Sequence, residues 1–532
     1  MKPADALFLV RQLLRSGIAG PERPDHALRA LAILRRWGST PASGYATSAL
    51  RQPDRPAIVD EGGTLTFAEV HGRTNALARG LASRGLGPGD GIALLCRNHR
   101  HFVEVTVACA KLGADVLYLN TSFAGPQLAD VVARERPRAL IYDAEFAPLL
   151  AGVDAGVDRL VAWPEPGAPT PADTSLDALR AGFDADDLSP PERPGRTVIL
   201  TSGTTGTPKG AERHHPESLL PAATLLSVIP LRARDRTLIA APLFHSWGLA
   251  HFALGVACGS TLFLRRRFDP EDTLAEAAAH GVSAIAVVPV MIGRIMDLPE
   301  EVRARYPLPD LRVVAASGSP IPGALSAAFM DAYGDVLYNL YGSTEVAWAT
   351  VASPADMRAA PGTAGRPPRG TTIRLYDNAD RAVPDGAVGR IFVANGMAFE
   401  GYTDGGGKPV IDGLMSTGDI GRIDHEGRLF VEGREDDMIV SGGENVYPGE
   451  VEELLCDHPA VADAVVVGVE DEQFGQRLKA FVVRRAGFEL GEEEVQAHVR
   501  ERLARYKVPR EVAFLDELPR NATGKVLRRE LR

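Results

Sequence analysis

Between residues 201 and 210 the chain reads Thr201-Ser202-Gly203-Thr204-Thr205-Gly206-Thr207-Pro208-Lys209-Gly210, directly after the short apolar run Thr197 to Leu200. Small hydroxyl residues and glycines let backbone N–H groups and side-chain oxygens approach phosphate oxygens closely, and one ammonium offsets their charge. The string is not a Walker loop, because Lys209 follows Pro208 and precedes Gly210, where that motif needs Gly and then Ser or Thr. Taken alone, a Gly/Thr turn can be no more than a turn; the ten-residue string is far more specific.

Further strings follow in a fixed order: Ala241-Pro242-Leu243-Phe244-His245, Tyr341-Gly342-Ser343-Thr344-Glu345, and Ser416-Thr417-Gly418-Asp419. After them come Gly433-Arg434-Glu435-Asp436-Asp437-Met438-Ile439, Gly442-Gly443-Glu444-Asn445-Val446, and Pro519-Arg520-Asn521-Ala522-Thr523-Gly524-Lys525. Together they resemble the adenylate-forming superfamily of acyl-CoA synthetases, peptide-synthetase adenylation domains and luciferase, over nearly the whole chain after about residue 50. The segment Gly210-Ala211-Glu212-Arg213 looks most like fatty-acyl-CoA synthetases of actinobacterial type.

The resemblance implies ATP, Mg²⁺ and coenzyme A as cofactors, and a carboxylate that attacks the α-phosphorus. Two anions must meet, which positioned cations make feasible. It implies phosphate contacts from Thr201, Ser202, Gly203, Thr204, Thr205, Gly206 and Lys209, and Mg²⁺ held by Glu345 with Thr204. Thr344 would contact the phosphate, Tyr341 and Gly342 line the adenine face, and Gly318 and Ser319 lie beside the base. Asp419 and Arg434 would hold the ribose. Lys525 would stabilise the adenylation transition state, Asp436 would be a hinge, and Gly442 and Gly443 would line the channel for the thiol. Rotation about such a hinge is a gating step. Asp436 and Asp437 could equally cap a helix.

Amino-acid-activating members place a carboxylate after the residue matching Phe244, where this chain has His245, so an α-amino acid is not the expected substrate. No carrier-protein segment is read after residue 532, which favours a free thiol such as coenzyme A. His245, Trp247, Val346 and Trp348 are nominated for an acyl pocket, with His245 also counted among the catalytic residues. Such a lining suits a fatty, polycyclic or aryl acid, at roughly 0.8 kcal/mol per buried CH₂. Core packing is the plain alternative for Trp247. Arg265-Arg266-Arg267 reads as a solvated basic turn, with CoA phosphates as the other option, and Glu212 is expected to point outward. The alternatives to a complete synthetase are an enzyme of one half-reaction, such as an acyl-AMP ligase feeding a carrier protein, and a non-catalytic ligand-binding relic.

Apolar runs alternate with helical patterns from Leu65 onward, which is α/β grammar. The expected fold is a large N-terminal domain of mostly parallel sheets covered by helices, residues 51–434, followed by a small mobile α+β domain, residues 435–532. Strands are expected at Gly91–Leu95, Asp115–Leu119, Thr197–Leu200, Thr237–Ala240, Ala284–Val288, Arg312–Ala315 and Val336–Asn339, and a helix over Phe67–Arg84, while Val451–Cys456, Val461–Val467, Lys479–Val483, Glu492–Tyr506 and Glu511–Leu515 are the strands and helices of the small domain. A helical extension, residues 1–50, holds two amphipathic helices over residues 4–16 and 26–37 that fit packing on the body, with membrane docking as the alternative.

A chain of 532 residues exceeds one hydrophobic core, and its net charge of −11 argues against nucleic-acid or anionic-lipid binding as the dominant role, while leaving room for a local basic patch. Cys96, Cys109, Cys258 and Cys456 form no CxxC pair, so neither zinc nor a disulfide framework is suggested. No secretory signal is read, a cytoplasmic location is expected, the apolar run Leu249 to Leu264 is too short to span a bilayer, and a homodimer is left open.

Overall fold

The computed structural model describes every residue except 1, 21–22, 166–172, 201–208, 214–215, 217, 398, 400, 438, 442–443, 472–474, 522–523 and 532. It divides into two compact units, Met1–Ala316 with Gly396–Gly407, and Ser317–Asn395 with Lys408–Arg532.

The first unit is built on two sheets. In one, the strands Ala139–Tyr142, Gly91–Leu95, Asp115–Tyr118 and Thr197–Leu200 lie side by side in that order, all parallel, and Gly210–Arg213 closes the edge antiparallel. Its central strands are buried along their whole length, as parallel strands covered on both faces must be. Leu95, Leu119, Leu140 and Leu200 meet in one core beneath the helix Gly125–Glu135. In the other sheet, Val313–Ser317, Ala284–Val287, Arg236–Ile239, Thr261–Leu264 and Pro56–Asp60 are parallel neighbours, with Gly63–Thr66 antiparallel at the edge. The helix Phe67–Ser83 starts where a capping box dictates: Thr66 Oγ1 accepts from the Glu69 N–H and Glu69 Oε2 accepts from the Thr66 N–H. The helix Arg100–Leu112 ends at Gly113, whose φ of 75° is left-handed and whose missing Cβ would meet Arg193 O at 2.7 Å.

In the second unit, Thr372–Tyr376, Gly389–Ala394, Leu414–Ile423 and Val410–Ile411 form an antiparallel sheet, and Leu429–Arg434 pairs with the long third strand. A further sheet carries the long hairpin Val461–Asp471 with Gly475–Arg484, beside Ile439–Ser441 and the parallel strand Glu511–Leu515. The helices Pro448–Cys456 and Glu492–Arg500 cover it through Val451, Leu455, Val495 and Val499. This is the α/β fold with an α+β portion near the C-terminus that the sequence led us to expect. The element expected over Glu492–Tyr506 is a helix only as far as Arg500, followed by a short turn at Arg505–Lys507.

Candidate active site

In the first unit the loop candidates Thr201, Ser202, Gly203, Thr204, Thr205 and Gly206 fall outside the described residues, but their frame does not. The buried strand Thr197–Leu200 enters the loop, and Gly210–Arg213 leaves it in register Val198↔Glu212. A hairpin from residues 401–406 lies over that exit. The Thr403 N–H donates to Gly210 O at 2.8 Å, and the Glu212 N–H donates to Gly401 O at 3.1 Å. Gly210 has no room for a side chain, since its Cβ would meet Val198 Cγ1 at 2.8 Å and Thr403 at 2.9 Å. Lys209 Nζ lies 2.9 Å from Asp404 and 5.3 Å from the centre of the Tyr402 ring. The hydrogen bond from Lys209, and then the Gly406 N–H, hold the Asp404 carboxyl below the usual carboxylate range. Glu212 does not simply face outward: Arg196 Nη1 donates to it at 2.9 Å while also gripping Asp115, so its charge is taken up in place.

The segment Ala241–His245 is fixed by a residue that sequence reasoning passed over. Asn98, buried, donates through Nδ2 to Ile239 O at 3.0 Å and Ala241 O at 2.9 Å, and its Oδ1 accepts from the Leu243 N–H at 2.8 Å. His245 then stands at the N-cap position of the helix Ser246–Cys258, without a side-chain capping hydrogen bond, and the helix can sit this close only because Gly248 has no Cβ; one would stand 2.2 Å from Pro242 O. Trp247 is buried and donates through Nε1 to Val287 O at 3.0 Å. One turn on, the buried His251 ring meets Trp247 edge-on at 4.4 Å, and neither of its nitrogens has a hydrogen-bond partner among the described residues. Burial holds its pKa down to about 3, so His251 is neutral.

In the second unit, Gly318 takes a φ of 110° in the Ser317–Pro320 loop, with Ser319 half-buried beside it. The strand Leu337–Tyr341 delivers Tyr341, and Gly342 permits an immediate reversal: its Cβ would lie 2.3 Å from Ala347 O. Trp348 N–H donates to Val346 O and Ala349 N–H to Tyr341 O, both at 2.8 Å, closing the turn that carries Thr344 and the buried Glu345. Asn395, also missed, donates to Val346 O at 2.6 Å and Trp348 O at 2.7 Å. Val346 itself packs with Leu375 and Ile391, and Trp348 Nε1 donates to Thr371 Oγ1 at 3.0 Å.

Asp419 gathers the strongest polar contacts. It sits buried on the long strand, directly across from Arg434, whose Nη1 donates to Oδ1 at 3.1 Å; the Tyr341 hydroxyl donates to Oδ2 at 2.6 Å. Burial pushes the Asp419 carboxyl above the ordinary aspartate value, opposed by the Arg434 charge, the Tyr341 hydrogen bond and the Lys525 charge. Burial also pushes the Tyr341 phenol well up, with Asp419 adding to it. Lys525 sits in a tight turn: Asn521 N–H donates to Lys525 O and Lys525 N–H to Asn521 Oδ1, each at 2.9 Å. The structure therefore brings Tyr341, Asp419, Arg434 and the charge of Lys525 into one electrostatic neighbourhood. Asp436 lies in the short turn Glu435–Asp437, while Gly442 and Gly443 fall outside the described residues.

In the basic run at 265–267, Arg265 and Arg266 are part-buried in ion pairs, while Arg267 stays exposed, as a solvated turn would have it. Arg266 donates to Glu145 at 2.6 Å and Glu165 at 2.8 Å, Arg267 donates to Glu145, and Arg265 pairs with Glu276. Glu145 and Glu165 are more than 100 positions away in sequence, so the pairing of Arg266 could not be read there.

Residues 45–403 match the family model of AMP-binding enzymes, and residues 450–525 match that of the AMP-binding enzyme C-terminal domain. The chain belongs to the AMP-binding enzymes. A fatty acid–acyl-carrier-protein ligase, ScoC of Streptomyces coeruleorubidus, is 32% identical over 502 residues, covering 91% of this chain and 94% of that protein. A feruloyl-CoA synthase from an Amycolatopsis species is 35% identical over 497 residues, covering 91% and 96%. Among solved structures, the amide bond synthetase McbA of Marinactinospora thermotolerans superposes with a TM-score of 0.82 at 28% identity, over 94% of this chain and 99% of that one. This AMP-binding enzyme is thus an adenylate-forming, AMP-producing acid ligase. No helix among its described residues is long and apolar enough to cross a membrane.

Proposed function

We propose that this enzyme couples a hydrophobic carboxylic acid to ATP, releasing pyrophosphate, and transfers the acyl group from the adenylate to the thiol of coenzyme A with release of AMP. The observation that carries the reading is the buried Asp419, oriented by Tyr341 and Arg434 and within the field of Lys525. A carboxylate fixed in this way suits the paired hydroxyls of a ribose, and a cation close by suits the charge that develops as a carboxylate attacks the α-phosphorus. Lys209, Thr344 and the 201–206 loop are assigned to the phosphates, and Gly318, Ser319, Tyr341 and Gly342 to the adenine side. Glu345 and Thr204 offer the hard oxygen donors that Mg²⁺ prefers, and the ion would neutralise phosphate charge there.

For the acid we nominate His245, Trp247, Val346 and Trp348, none of which offers a carboxylate to pair with an ammonium. Asp436 is proposed as the hinge about which residues 435–532 turn after adenylation, exchanging Lys525 for Gly442 and Gly443 as the thiol arrives. The relatives are named a fatty acid–acyl-carrier-protein ligase, a feruloyl-CoA synthase and an amide bond synthetase, so the acceptor is the point to test. The experiment measures pyrophosphate release with fatty, aryl, polycyclic and amino acids, with and without coenzyme A, and follows thioesters by mass spectrometry. We expect coenzyme A-dependent turnover with hydrophobic acids. Adenylate that accumulates without thioester, or activity confined to amino acids, refutes the proposal.

A further inference from the structure

Two helices, Pro3–Arg15 and Pro24–Trp37, precede the residues that match the family model. Each is amphipathic, and each packs only in part. Pro3–Arg15 touches the helix Leu220–Leu226 and buries Gln12, while Pro24–Trp37 touches Pro41–Arg51 and buries Ala30. What remains outside is apolar. Leu7, Val10 and Leu14 are 72%, 54% and 58% exposed at helical spacing, and Leu28 and Leu31 are 70% and 63% exposed. Of nine large hydrophobic side chains that are exposed among the described residues, these five stand within a 25-residue span of the chain. Packing on the body, the plainer expectation from sequence, therefore accounts for one face of each helix and leaves the other uncovered.

The charges around these leucines are mostly of one sign, with Asp25 taken up by Arg23 at 3.0 Å. Lys2, Arg11, Arg15, Arg23, Arg29, Arg35 and Arg36 are all exposed, whereas Asp5 and Asp25 are half-buried. Residues 1–38 carry seven Lys and Arg against three Asp and Glu, in a chain whose total is −11. Arg11 and Arg15 interleave with Leu7, Val10 and Leu14, and Arg29, Arg35 and Arg36 accompany Leu28 and Leu31. The core of a protein–protein interface accepts arginine but is built on aromatic residues, and the only Phe, Tyr or Trp side chains of these two helices, Phe8 and Trp37, are half-buried and not part of the exposed stripe. A stripe in which leucines alternate with arginines suits a lipid headgroup layer instead, where leucine enters the acyl boundary and arginine reaches back to phosphate. Helices of 13 and 14 residues extend only about 20 Å, too short for a ~30 Å hydrocarbon core, so they would lie along a surface and not across it.

We propose that the exposed faces of these two helices dock the enzyme on the surface of an anionic phospholipid bilayer. The inference stands apart from the assignment of the acid and the thiol. It is tested by co-sedimenting the full-length protein with phosphatidylcholine vesicles, with and without about one-third phosphatidylglycerol, at low and raised salt. Binding should require the anionic lipid and weaken as salt rises. Leu7→Ser/Leu14→Ser and, separately, Arg35→Glu/Arg36→Glu should each lower partitioning by about tenfold or more, with unchanged melting curves and unchanged activity on a soluble acid. Absence of binding to anionic vesicles, or binding that these substitutions leave intact, overturns the proposal. So does a concentration-dependent dimer that Leu7→Ser/Leu14→Ser abolishes in a protein that ignores vesicles, because the face would then pair with a second copy.

Discussion

Replacing Asp419 with Ala removes the acceptor on which Tyr341 and Arg434 converge, and the consequence can be worked from the contacts. A ribose held by both carboxylate oxygens would lose two charge-assisted hydrogen bonds at about 1.5 to 3 kcal/mol each. At about 1.4 kcal/mol per tenfold, affinity for AMP should fall by about 10² to 10⁴. The fold should tolerate the change, because the Tyr341 hydroxyl keeps Thr417 Oγ1 at 3.2 Å and the Arg434 side chain is 28% exposed. Asp419→Asn keeps one acceptor but no charge and should fall between wild type and Ala; Tyr341→Phe should cost less than either. The pH dependence has a definite sign. Burial raises the Asp419 pKa, so AMP binding should weaken as pH falls through that raised value, where the carboxylate takes a proton. The contribution to folding runs the other way: it is fully present below the unfolded aspartate pKa and is lost as pH rises through the folded one. Calorimetric titration of AMP, with circular dichroism melts of each variant, tests this. Native melting with undiminished affinity in Asp419→Ala refutes the reasoning.

Lys525→Ala should slow adenylation by about 10² or more while thioester formation from supplied acyl-adenylate survives, and quantifying AMP, adenylate and thioester from each input separates the two steps; equal loss from both inputs removes Lys525 from its assigned role. Asn98→Ala should lower stability by about 2 to 4 kcal/mol, from three hydrogen bonds and the buried carbonyls it leaves behind, and should lower pyrophosphate release through the loosened Ala241–His245 segment; an unmoved urea midpoint contradicts it. His251 is held near 3 against 6.5 in the unfolded chain, so unfolding takes up a proton between those values and stability falls as pH drops through that window. His251→Met removes this term, so its stability relative to wild type should rise by about 1.4 kcal/mol for each pH unit below 6.5, and parallel urea profiles from pH 7 to 5 would count against a neutral buried imidazole.

Local pattern made much of the framework legible. The strand Thr197–Leu200 and the bounds of the element Glu511–Leu515 were readable to the residue, and Phe67–Ser83 within one, because burial period, capping box and turn residues all lie within a few positions. The reactive residue types were legible for the same reason, as continuous strings. What holds them was not. Asn98 fixes a segment more than 140 positions away, and the 401–406 hairpin meets Lys209 from nearly 200 positions downstream. The turn holding Arg266 read as solvated because Glu145 and Glu165 reach it only through the fold. Long-range pairing of this kind leaves no period in the sequence.

The stretch Gly396–Gly407 belongs to the first unit although the residues on both sides of it belong to the second. The chain therefore passes from one unit to the other at three junctions, so no single proteolytic nick can release either unit whole. The same arrangement bears on heredity: a recombination event that exchanged one unit for a homologue's would have to bring along the 401–406 hairpin together with the strand Gly210–Arg213 that it meets, or the frame around Lys209 would be assembled from unmatched parts.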